Sequence, residues 1–325
     1  MNKKMVFVTD KSFPDYTKFA ATVQAAGHDI VFAGAGDEQT LIREGSGADI
    51  VVNSFALVTA KFINSLTKCK MILRTGIGVN TIDTDAATAK KIKVCYVPDY
   101  CRDEVADHTI ALTLCAARKV CFLDKRLHAN VWNSVEAGFV PRLGGCTFGL
   151  LGFGGIAQKV AKRIQAFGMK VLAYDPYLPD EAFSSAGVSR AKTYDEIFSG
   201  SDIISLNLPL TAETKYIINA ENLAKMKNGV FIVNTARGPL IKEADLVNAL
   251  KSGKVCAAGI DVFETEPLPA DSELRKLDNV VLTPHAAYYS SVSLPELEAR
   301  SLDEVMRELE GRPSRIVYNK SALGL

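Results

Sequence analysis

The 325-residue sequence has no long apolar run and no excess of charge of one sign. Its 38 basic and 37 acidic residues give a formal charge of +1, so nothing indicates a surface for nucleic acid or an anionic membrane. No stretch approaches the length of a membrane span. The apolar run near the N-terminus is too short for the core of a signal peptide. We therefore expect neither nucleic acid nor a membrane as a direct partner.

Cysteine is also too sparse and too scattered to organise the fold. The seven cysteines are odd in number and form neither a CxxC motif nor a cluster with any of the four histidines. This pattern supports neither a disulfide framework nor a zinc site. The sequence therefore predicts reduced thiols, a cytoplasmic protein and no bound metal.

What the chain does contain is a repeated alternation of short β-rich runs and helical patterns. A chain of this length exceeds the usual size of one hydrophobic core, so we expect two domains. The first block has apolar runs at 5–8, 30–32, 50–53, 71–73 and 94–97, and the second has six more at 148–151, 171–174, 203–206, 230–234, 257–262 and 280–282. Strands that alternate with helices indicate parallel βαβ units.

The segment Cys146–Asp175 has the order strand, glycine turn, helix, second strand and terminal acid. Gly152 permits a sharp turn after the apolar run 148–151, and Gly154 removes a side chain where a pyrophosphate must approach the backbone. Ala157 is small enough for the helix to pack closely on the strand. This order predicts a dinucleotide-binding site; the alternative is a tight strand-to-helix turn without a ligand.

The same segment also indicates which dinucleotide binds. The helix that begins near Gly155 directs its unpaired N–H groups and its positive dipole end towards the phosphates. Asp175, at the tip of the second strand, is placed to accept hydrogen bonds from the adenosine ribose and would repel a 2′-phosphate. We therefore predict NAD, rather than NADP, as the cofactor.

Three later segments place polar side chains where strands are expected to end, which is where ligands bind in open parallel sheets. Arg237 follows a buried strand in IVNTARGPL, where it either grips a carboxylate or pairs with a surface neighbour. Asp261, Glu264 and Glu266 lie in GIDVFETEPLP, which is either functional or a solvated acidic loop. His285 follows a strand in VVLTPHAAYY.

An arginine, an acid and a histidine on the strand ends of one cofactor domain can reduce a 2-keto acid. The arginine holds the carboxylate and polarises the carbonyl, and the imidazolium delivers a proton to the carbonyl oxygen. A carboxylate beside the imidazole favours its charged form. The nicotinamide supplies the hydride.

Across nearly its whole length the chain resembles the D-isomer-specific 2-hydroxyacid dehydrogenase family, through GFGGIAQ, AYDPY, NLPLT, NTARGPL, GIDVFETEP and TPHAA. The resemblance implies that Arg237 binds substrate, that Glu266 pairs with the catalytic histidine and that His285 is the general acid and base. It also implies a backbone N–H site for the substrate carboxylate in RTGIGVNTID, at Gly76, Ile77 and Gly78. For the cofactor it implies contacts from Gly154, Gly155, Ile156, Asp175, Leu208, Thr235, Ala236 and Asp261, beside the turn residue Gly152.

Within the family, PDYCRDEVADHTIAL and TPHAAYYSSVSLPE are similar to the branch related to C-terminal binding proteins and phosphoglycerate dehydrogenases. The activity implied is reversible hydride transfer between NAD and a 2-keto or 2-hydroxy acid, either glyoxylate and hydroxypyruvate or phosphoglycerate-like acids. The alternative is an NAD(H)-sensing, corepressor-like scaffold that binds protein partners. The family also implies a homodimer.

Two longer helical patterns complete the prediction. Residues 103–128 contain neither Pro nor Gly and predict one helix long enough to pass between domains, and a helix is expected near 294–309. His108 lies in the first pattern and is interpreted as a packed or interface residue outside the site. We predict an α/β fold with two Rossmann-like domains: a flavodoxin-like substrate domain of residues 1–98 and 290–325, and an inserted doubly wound NAD-binding domain of residues 99–289. Substrate is expected in the cleft between them.

Overall fold

The structure is a computed structural model that describes residues 3–11 and 15–325. The chain divides into two compact units: a first unit of Met1–Tyr100 with Ser290–Leu325, and a second unit of Cys101–Tyr289. The first division therefore lies two residues later than the predicted boundary at 98/99, and the second lies at 289/290. Residues 1, 2 and 12–14 of the predicted first domain lie outside the described residues.

Within its described residues, the first unit is built on one parallel sheet. Its strands are β1 (Met5–Val8), β2 (Asp29–Phe32), β3 (Ile50–Asn53), β4 (Met71–Arg74) and β5 (Lys93–Tyr96). The strand order is β2-β1-β3-β4-β5, which is the flavodoxin-like order that the sequence predicts. Phe7, Val51, Ile72 and Val94 are completely buried, because the inner strands are covered on both faces.

The helices that lie between these strands are α1 (Thr17–Ala25), α2 (Glu38–Gly45), α3 (Ala60–Ser65) and α4 (Thr84–Ala89). Three of them, α2, α3 and α4, begin at a polar residue that caps them. The side chains of Asp37, Thr59 and Asp83 accept hydrogen bonds from the backbone N–H groups of Thr40, Phe62 and Ala86. Such caps satisfy donors that have no partner inside the helix.

The second unit contains a larger parallel sheet. Its strands are β6 (Thr147–Leu151), β7 (Lys170–Tyr174), β8 (Ser189–Arg190), β9 (Ile203–Leu206), β10 (Val230–Asn234), β11 (Val255–Ile260) and β12 (Val280–Leu282). The order β12-β11-β10-β9-β6-β7-β8 runs outward from a central β6 in both directions, as in doubly wound dinucleotide folds. The reversal lies between β6 and β9, and such switch points are where ligands bind. The two-residue β8 was not predicted, because it is too short to form a sequence pattern.

Helices cover both faces of this sheet. They are α5 (Arg102–Ala117), α6 (Val120–His128), α7 (Gly155–Gln165), α8 (Asp180–Ser184), α9 (Tyr194–Gly200), α10 (Ala220–Lys225) and α11 (Glu243–Lys251). Successive strand residues point to opposite faces: Phe231 packs in the cluster with α5 and α7, whereas Ile232 packs in the cluster with α9, α10 and α11. No helix in the described part of the chain is long and apolar enough to cross a bilayer.

The prediction of one helix over 103–128 is wrong, because the chain breaks it at residues 118 and 119 into α5 and α6. Lys119 adopts a left-handed conformation with φ of 55°, which ends the regular hydrogen-bond ladder. Its side chain is buried, with Nζ 3.3 Å from the carbonyl oxygen of Cys256 and 6.0 Å from the centre of the Phe231 ring. This tertiary packing stabilises the break between α5 and α6. The break contains neither glycine nor proline, so no sequence signal predicts it.

The last segment of the chain completes the first unit. It contains α12 (Ser293–Leu309), close to the predicted 294–309, and α13 (Lys320–Leu323). Lys4 Nζ donates to the carbonyl oxygens of Glu308 and Leu309, the last carbonyls of α12, at 3.1 and 2.9 Å. A cation at a helix C-terminus satisfies these acceptors and complements the helix dipole.

Candidate active site

The turn after β6 has no room for a side chain at its first glycine, Gly152. Gly152 has φ of 88°, a conformation that side chains rarely adopt, and a Cβ there would lie 2.6 Å from the carbonyl oxygen of Asn207. Gly154 differs, because a Cβ on this residue would meet nothing within 4 Å. The turn is therefore packed on its inner side and open in front of Gly154.

Helix α7 begins at this open side. Gly154 is its N-cap and provides no side-chain hydrogen bond, so the N–H groups of the first turn, at Gly155 and Ile156, face the opening. Ala157 is almost fully buried in the core cluster that contains Phe148, where only a small side chain lets helix and strand approach. This combination fits a pyrophosphate group.

Asp175 follows β7 directly beside the glycine turn. Its Oδ2 accepts the N–H of Phe153 and its Oδ1 accepts the N–H of Tyr177, both at 3.0 Å. Arg190 donates to the backbone carbonyl oxygen of Asp175 at 3.2 Å and pairs through its other nitrogen with Asp180 at 2.5 Å. The Asp175 carboxylate is thus fixed in place, while each of its oxygens retains a lone pair for a ribose hydroxyl.

The other predicted cofactor residues follow β9, which neighbours β6 in the sheet, and β10, the next strand along. Leu208 comes after β9, and Thr235 and Ala236 come after β10. The Thr235 hydroxyl bonds the Thr109 hydroxyl of α5 at 2.7 Å, and the N–H of Ala236 bonds Asn234 Oδ1 at 3.0 Å. Parallel strands end at one edge, so these residues share the edge that carries the glycine turn.

His285 and Glu266 form a close pair at the same edge. His285 Nδ1 lies 2.7 Å from Glu266 Oε2, and Glu266 Oε1 accepts the N–H of Phe263 at 2.9 Å. Burial of Glu266 acts to raise its pKa, but the bond and charge of His285, the Phe263 N–H and the charge of Arg237 outweigh burial, and the pKa is lowered. Glu266 is therefore ionised at neutral pH and orients the imidazole.

Arg237 stands on a loop that packs directly against the loop of Glu266. A Cβ at Gly238 would overlap the carbonyl group of Phe263, so the two loops touch backbone to backbone. Arg237 Nη1 donates to the carbonyl oxygen of Ala236 at 2.6 Å, and its charge acts on Glu266. The structure thus brings together Arg237, Glu266 and His285, which the sequence singles out as catalytic.

Residues 110–287 match the family model described as "D-isomer specific 2-hydroxyacid dehydrogenase, NAD binding domain". The match covers more than half of the chain and spans the glycine turn, Arg237, Glu266 and His285. The chain belongs to the D-isomer specific 2-hydroxyacid dehydrogenase family. Its cofactor is accordingly NAD, and the open glycine turn with the fixed Asp175 carboxylate fits that cofactor.

Relatives within this family carry several enzyme names. A hydroxypyruvate reductase of Thermotoga maritima is 43% identical over 263 residues, which cover 80% of this chain and 84% of that protein. A D-3-phosphoglycerate dehydrogenase of Methanocaldococcus jannaschii is 38% identical over 314 residues, which cover 97% of this chain but only 59% of the longer relative. A solved glyoxylate reductase from Paecilomyes thermophila matches with a TM-score of 0.89 and 30% identity, covering 99% of this chain and 100% of that one.

Asp261, which the family resemblance implies as a nicotinamide contact, has a carboxylate that is completely buried. Its oxygens accept the hydroxyl of Thr283 at 2.6 Å and the N–H groups of Ala286 and Ala287 at 2.8 and 3.0 Å. Burial acts to raise the Asp261 pKa, but these bonds and that of His108 outweigh burial and lower it. This acid therefore holds the backbone that follows His285.

In the first unit, the predicted carboxylate loop follows β4. Gly76 has φ of 149°, and a Cβ there would collide with the Arg74 guanidinium, which folds back to the carbonyl oxygen of Thr75. Ile77 and Gly78 are partly exposed. The Arg74 guanidinium also lies 5.8 Å from the centre of the Phe55 ring. The Arg74 side chain therefore packs against this loop at Gly76, a role that the sequence does not reveal.

Three further polar residues, Asp10, Arg102 and His108, lie near the site but do not belong to the predicted set of site residues. Asp10, two residues after the end of β1, accepts the N–H groups of the three consecutive residues 54–56 at 3.1 to 3.2 Å. The Arg102 guanidinium lies 3.2 Å from the position of a Cβ at Gly155, beside the opening of the glycine turn. His108 Nε2 lies 2.9 Å from Thr283 Oγ1, although the sequence indicated a merely packed side chain.

For Asp10 a signal was present, because this acid lies two residues after the predicted strand 5–8. Arg102 and His108 contact residues that are distant in sequence, so no local sequence pattern predicts these contacts. No group of three or more His, Cys, Asp or Glu residues within the described ranges could hold a metal ion.

Proposed function

We propose that this chain is an NAD-dependent D-2-hydroxyacid dehydrogenase that interconverts a 2-keto acid and the corresponding D-2-hydroxy acid. The observation that carries the proposal is the 2.7 Å contact between His285 Nδ1 and Glu266 Oε2, at a sheet edge that also holds Arg237 and the glycine turn. The reductases and dehydrogenases among the relatives support it. Since the chain spans 59% of the phosphoglycerate dehydrogenase, the whole of that enzyme's activity is not assumed.

We propose that the second unit holds NAD along the strand ends. The N–H groups of the first turn of α7 receive the pyrophosphate, and the Asp175 carboxylate receives the ribose hydroxyls. The full set proposed to contact the cofactor is Gly152, Gly154, Gly155, Ile156, Asp175, Leu208, Thr235, Ala236 and Asp261. When bound, NAD supplies or accepts the hydride at its nicotinamide ring.

The side chains of this chain supply binding and proton transfer. The Arg237 guanidinium holds the substrate carboxylate and draws electron density from the keto oxygen. Because His285 Nδ1 is bound to Glu266, we assign the transferred proton to Nε2, which donates it to the keto oxygen during reduction and removes it during oxidation. The ionised Glu266 stabilises the imidazolium and fixes its orientation.

The first unit is proposed to add backbone donors to the substrate carboxylate. The N–H groups of Gly76, Ile77 and Gly78 receive the carboxylate, and the glycines give their loop the necessary backbone freedom. Glyoxylate and hydroxypyruvate are the first candidates, because the hydroxypyruvate reductase matches over 84% of its length. Phosphoglycerate-like acids are the alternative.

We also propose a homodimer in the cytoplasm. The second unit exposes a series of large apolar side chains, Val120, Leu127, Trp132, Val135 and Phe139, and Trp132 is 91% exposed. Exposed large apolar side chains are typical of protein interfaces. The cysteines of this chain are free thiols, which suits a reducing compartment.

A substrate panel tests the proposed function. NADH oxidation is measured with glyoxylate, hydroxypyruvate, pyruvate and longer 2-keto acids, each also with NADPH, and the chirality of the product is determined. We expect turnover of at least one acid with NADH and a D-hydroxy acid as product. An L-product, or no turnover of any acid together with tight NADH binding, contradicts the proposal, and the second result favours a cofactor-sensing scaffold.

A further inference from the structure

Polar contacts connect helix α5 to the backbone that carries His285. His108 Nε2, on α5, lies 2.9 Å from Thr283 Oγ1 and 3.5 Å from Asp261 Oδ1. Thr283 Oγ1 in turn lies 2.6 Å from the same oxygen of Asp261. The three side chains thus form a connected group that reaches across 175 positions of sequence, and each belongs to the second unit.

The direction of the hydrogen bonds in this group is determined by chemistry. The Asp261 pKa is lowered, so its carboxylate is ionised at neutral pH and can only accept. Thr283 therefore gives its single hydroxyl hydrogen to Asp261, and its oxygen must accept from His108. Nε2 of His108 consequently carries a hydrogen. A side chain at position 108 needs an N–H donor at this point, which an apolar side chain lacks.

The acid at the centre of the group determines the path of the catalytic loop. The backbone carbonyl oxygen of Asp261 accepts the N–H of His285 at 2.8 Å, and its carboxylate accepts the N–H groups of Ala286 and Ala287. His285 has φ of 51°, which costs free energy for a residue with a side chain. These three hydrogen bonds to Asp261 offset the cost and hold the imidazole of His285 within hydrogen-bond distance of Glu266.

Packing of α5 on the sheet places His108 close to Asp261 and Thr283. A Cβ at Gly259 of β11 would lie 2.8 Å from the Cβ of Leu112, so α5 touches the strand backbone at this point. His108 lies one helical turn before Leu112, on the same face of α5, and therefore over the end of β11 where Asp261 follows. The neighbouring Thr109 bonds Thr235 at the end of β10.

We propose that His108 is a positioning residue for the reaction: through Thr283 and Asp261 it fixes the left-handed conformation of His285 and thereby the direction of the imidazole. This inference rests on the proposed role of His285. His108 itself touches neither substrate nor the reacting atoms. It acts by donating a hydrogen bond, not by filling space.

Two substitutions at position 108 distinguish the hydrogen bond that His108 donates from the space that its side chain fills. Gln at position 108 retains an N–H group near the place of Nε2, whereas Leu fills similar space without a donor. With hydroxypyruvate, or whichever acid turns over, we expect His108→Leu to lower kcat about tenfold and His108→Gln to stay within about threefold of the parent, because one hydrogen bond is lost in the first and kept in the second. NADH affinity, measured by fluorescence, is expected to change less than about threefold in both.

A double-mutant cycle tests the route through Thr283. If His108 acts through this hydroxyl, His108→Leu and Thr283→Val together lower kcat no more than the stronger single substitution does. His128→Leu, at an exposed histidine of α6, serves as the matched control with no expected effect. Equal losses in His108→Leu and His108→Gln, or losses that add in the double variant, overturn the proposal.

An NMR measurement tests the inference without turnover. The chain has four histidines, so the ring signal of His285 can be identified from its absence in His285→Gln. We expect that signal to shift in His108→Leu and to remain at the parent position in His108→Gln; an unmoved signal in both contradicts the proposal. A parent protein without any keto acid reduction would instead contradict the proposed function.

Discussion

At the scale of single residues, several acids at strand ends hold the backbone that follows or faces them. Asp175 accepts the N–H groups of Phe153 and Tyr177, Glu266 accepts that of Phe263, and Asp261 accepts those of Ala286 and Ala287. Asp10 does the same for residues 54–56 of the first unit. Each carboxylate gains stabilising donors, and each loop gains a fixed shape.

Replacing Asp175 tests the choice of cofactor. Asp175→Ala removes the carboxylate that binds the ribose and repels a 2′-phosphate, so the ratio of kcat/KM for NADH over NADPH should fall about tenfold or more. Asp124→Ala, at an exposed residue of α6 that faces His128, is the control and should leave the ratio unchanged. A parent enzyme that uses NADPH as well as NADH contradicts this account of Asp175.

Replacing Asp261 tests the buried carboxylate as a stabilising group. Asp261→Asn substitutes an amide that cannot accept all the donors, and we expect a loss of about 2 kcal/mol in the free energy of unfolding at pH 7. The folded-state pKa of Asp261 lies below its ordinary value of 3.8, so this stabilisation is present above that pH and lost as the pH falls through the folded-state pKa.

The measurement is thermal unfolding of parent and variant between pH 7 and pH 3. The difference in Tm should stay constant down to about pH 4 and narrow below it. Asp278→Asn is the matched control, since Asp278 forms an exposed pair with Lys125 and should contribute little. A difference that grows as the pH falls is the opposite of what we expect.

At the scale of elements, the site depends on close contacts made at glycines, where a side chain would not fit. Gly152 meets Asn207 behind the glycine turn, Gly238 meets Phe263 between the two catalytic loops, and Gly259 meets Leu112 under α5. Because these segments are already in van der Waals contact, a shift of one segment must also shift the other.

Gly238→Ala tests the contact between the catalytic loops. The new Cβ would overlap the Phe263 carbonyl group, so the loops must separate, and we expect Tm to fall and kcat to drop more than about tenfold. Gly144→Ala is the control, because its Cβ would lie 3.8 Å from the carbonyl oxygen of Phe167. Parent-like values for both variants would show that the loops do not depend on this contact.

The sequence predicts most strands and the strand-end residues for a physical reason. Inner parallel strands are buried on both faces and form short apolar runs, as at 230–234, and the residue after each run lies at the ligand edge. The break at Lys119 escapes prediction because Phe231 and Cys256 hold it from elsewhere in the chain. His108 escapes for the same reason, since its partners come from distant elements.

At the scale of the whole molecule, the order of segments explains how one chain forms two units. The first unit takes both ends of the chain, and the second is inserted between residues 100 and 290. The inserted unit carries the glycine turn and the His285–Glu266 pair, and it also exposes the apolar side chains from Val120 to Phe139. We therefore assign the proposed dimer contact to the second unit.

Light scattering tests the dimer. The parent should have a molar mass of about twice 35.2 kDa, because burying side chains such as Trp132 stabilises the pair. Trp132→Glu combined with Val135→Glu should move the mass towards the monomer. Leu325→Glu, at an exposed apolar residue of the first unit, is the control. A monomeric parent contradicts the proposed assembly.

The most direct test of the central claim is the turnover of His285→Gln with NADH and the best keto acid of the panel. Glutamine cannot deliver a proton as an imidazolium does, so kcat should fall by a factor of about 100 or more while NADH affinity stays within about threefold of the parent. Turnover at the parent rate, with NADH bound as tightly, would contradict the assignment of His285 and Glu266 as the catalytic pair.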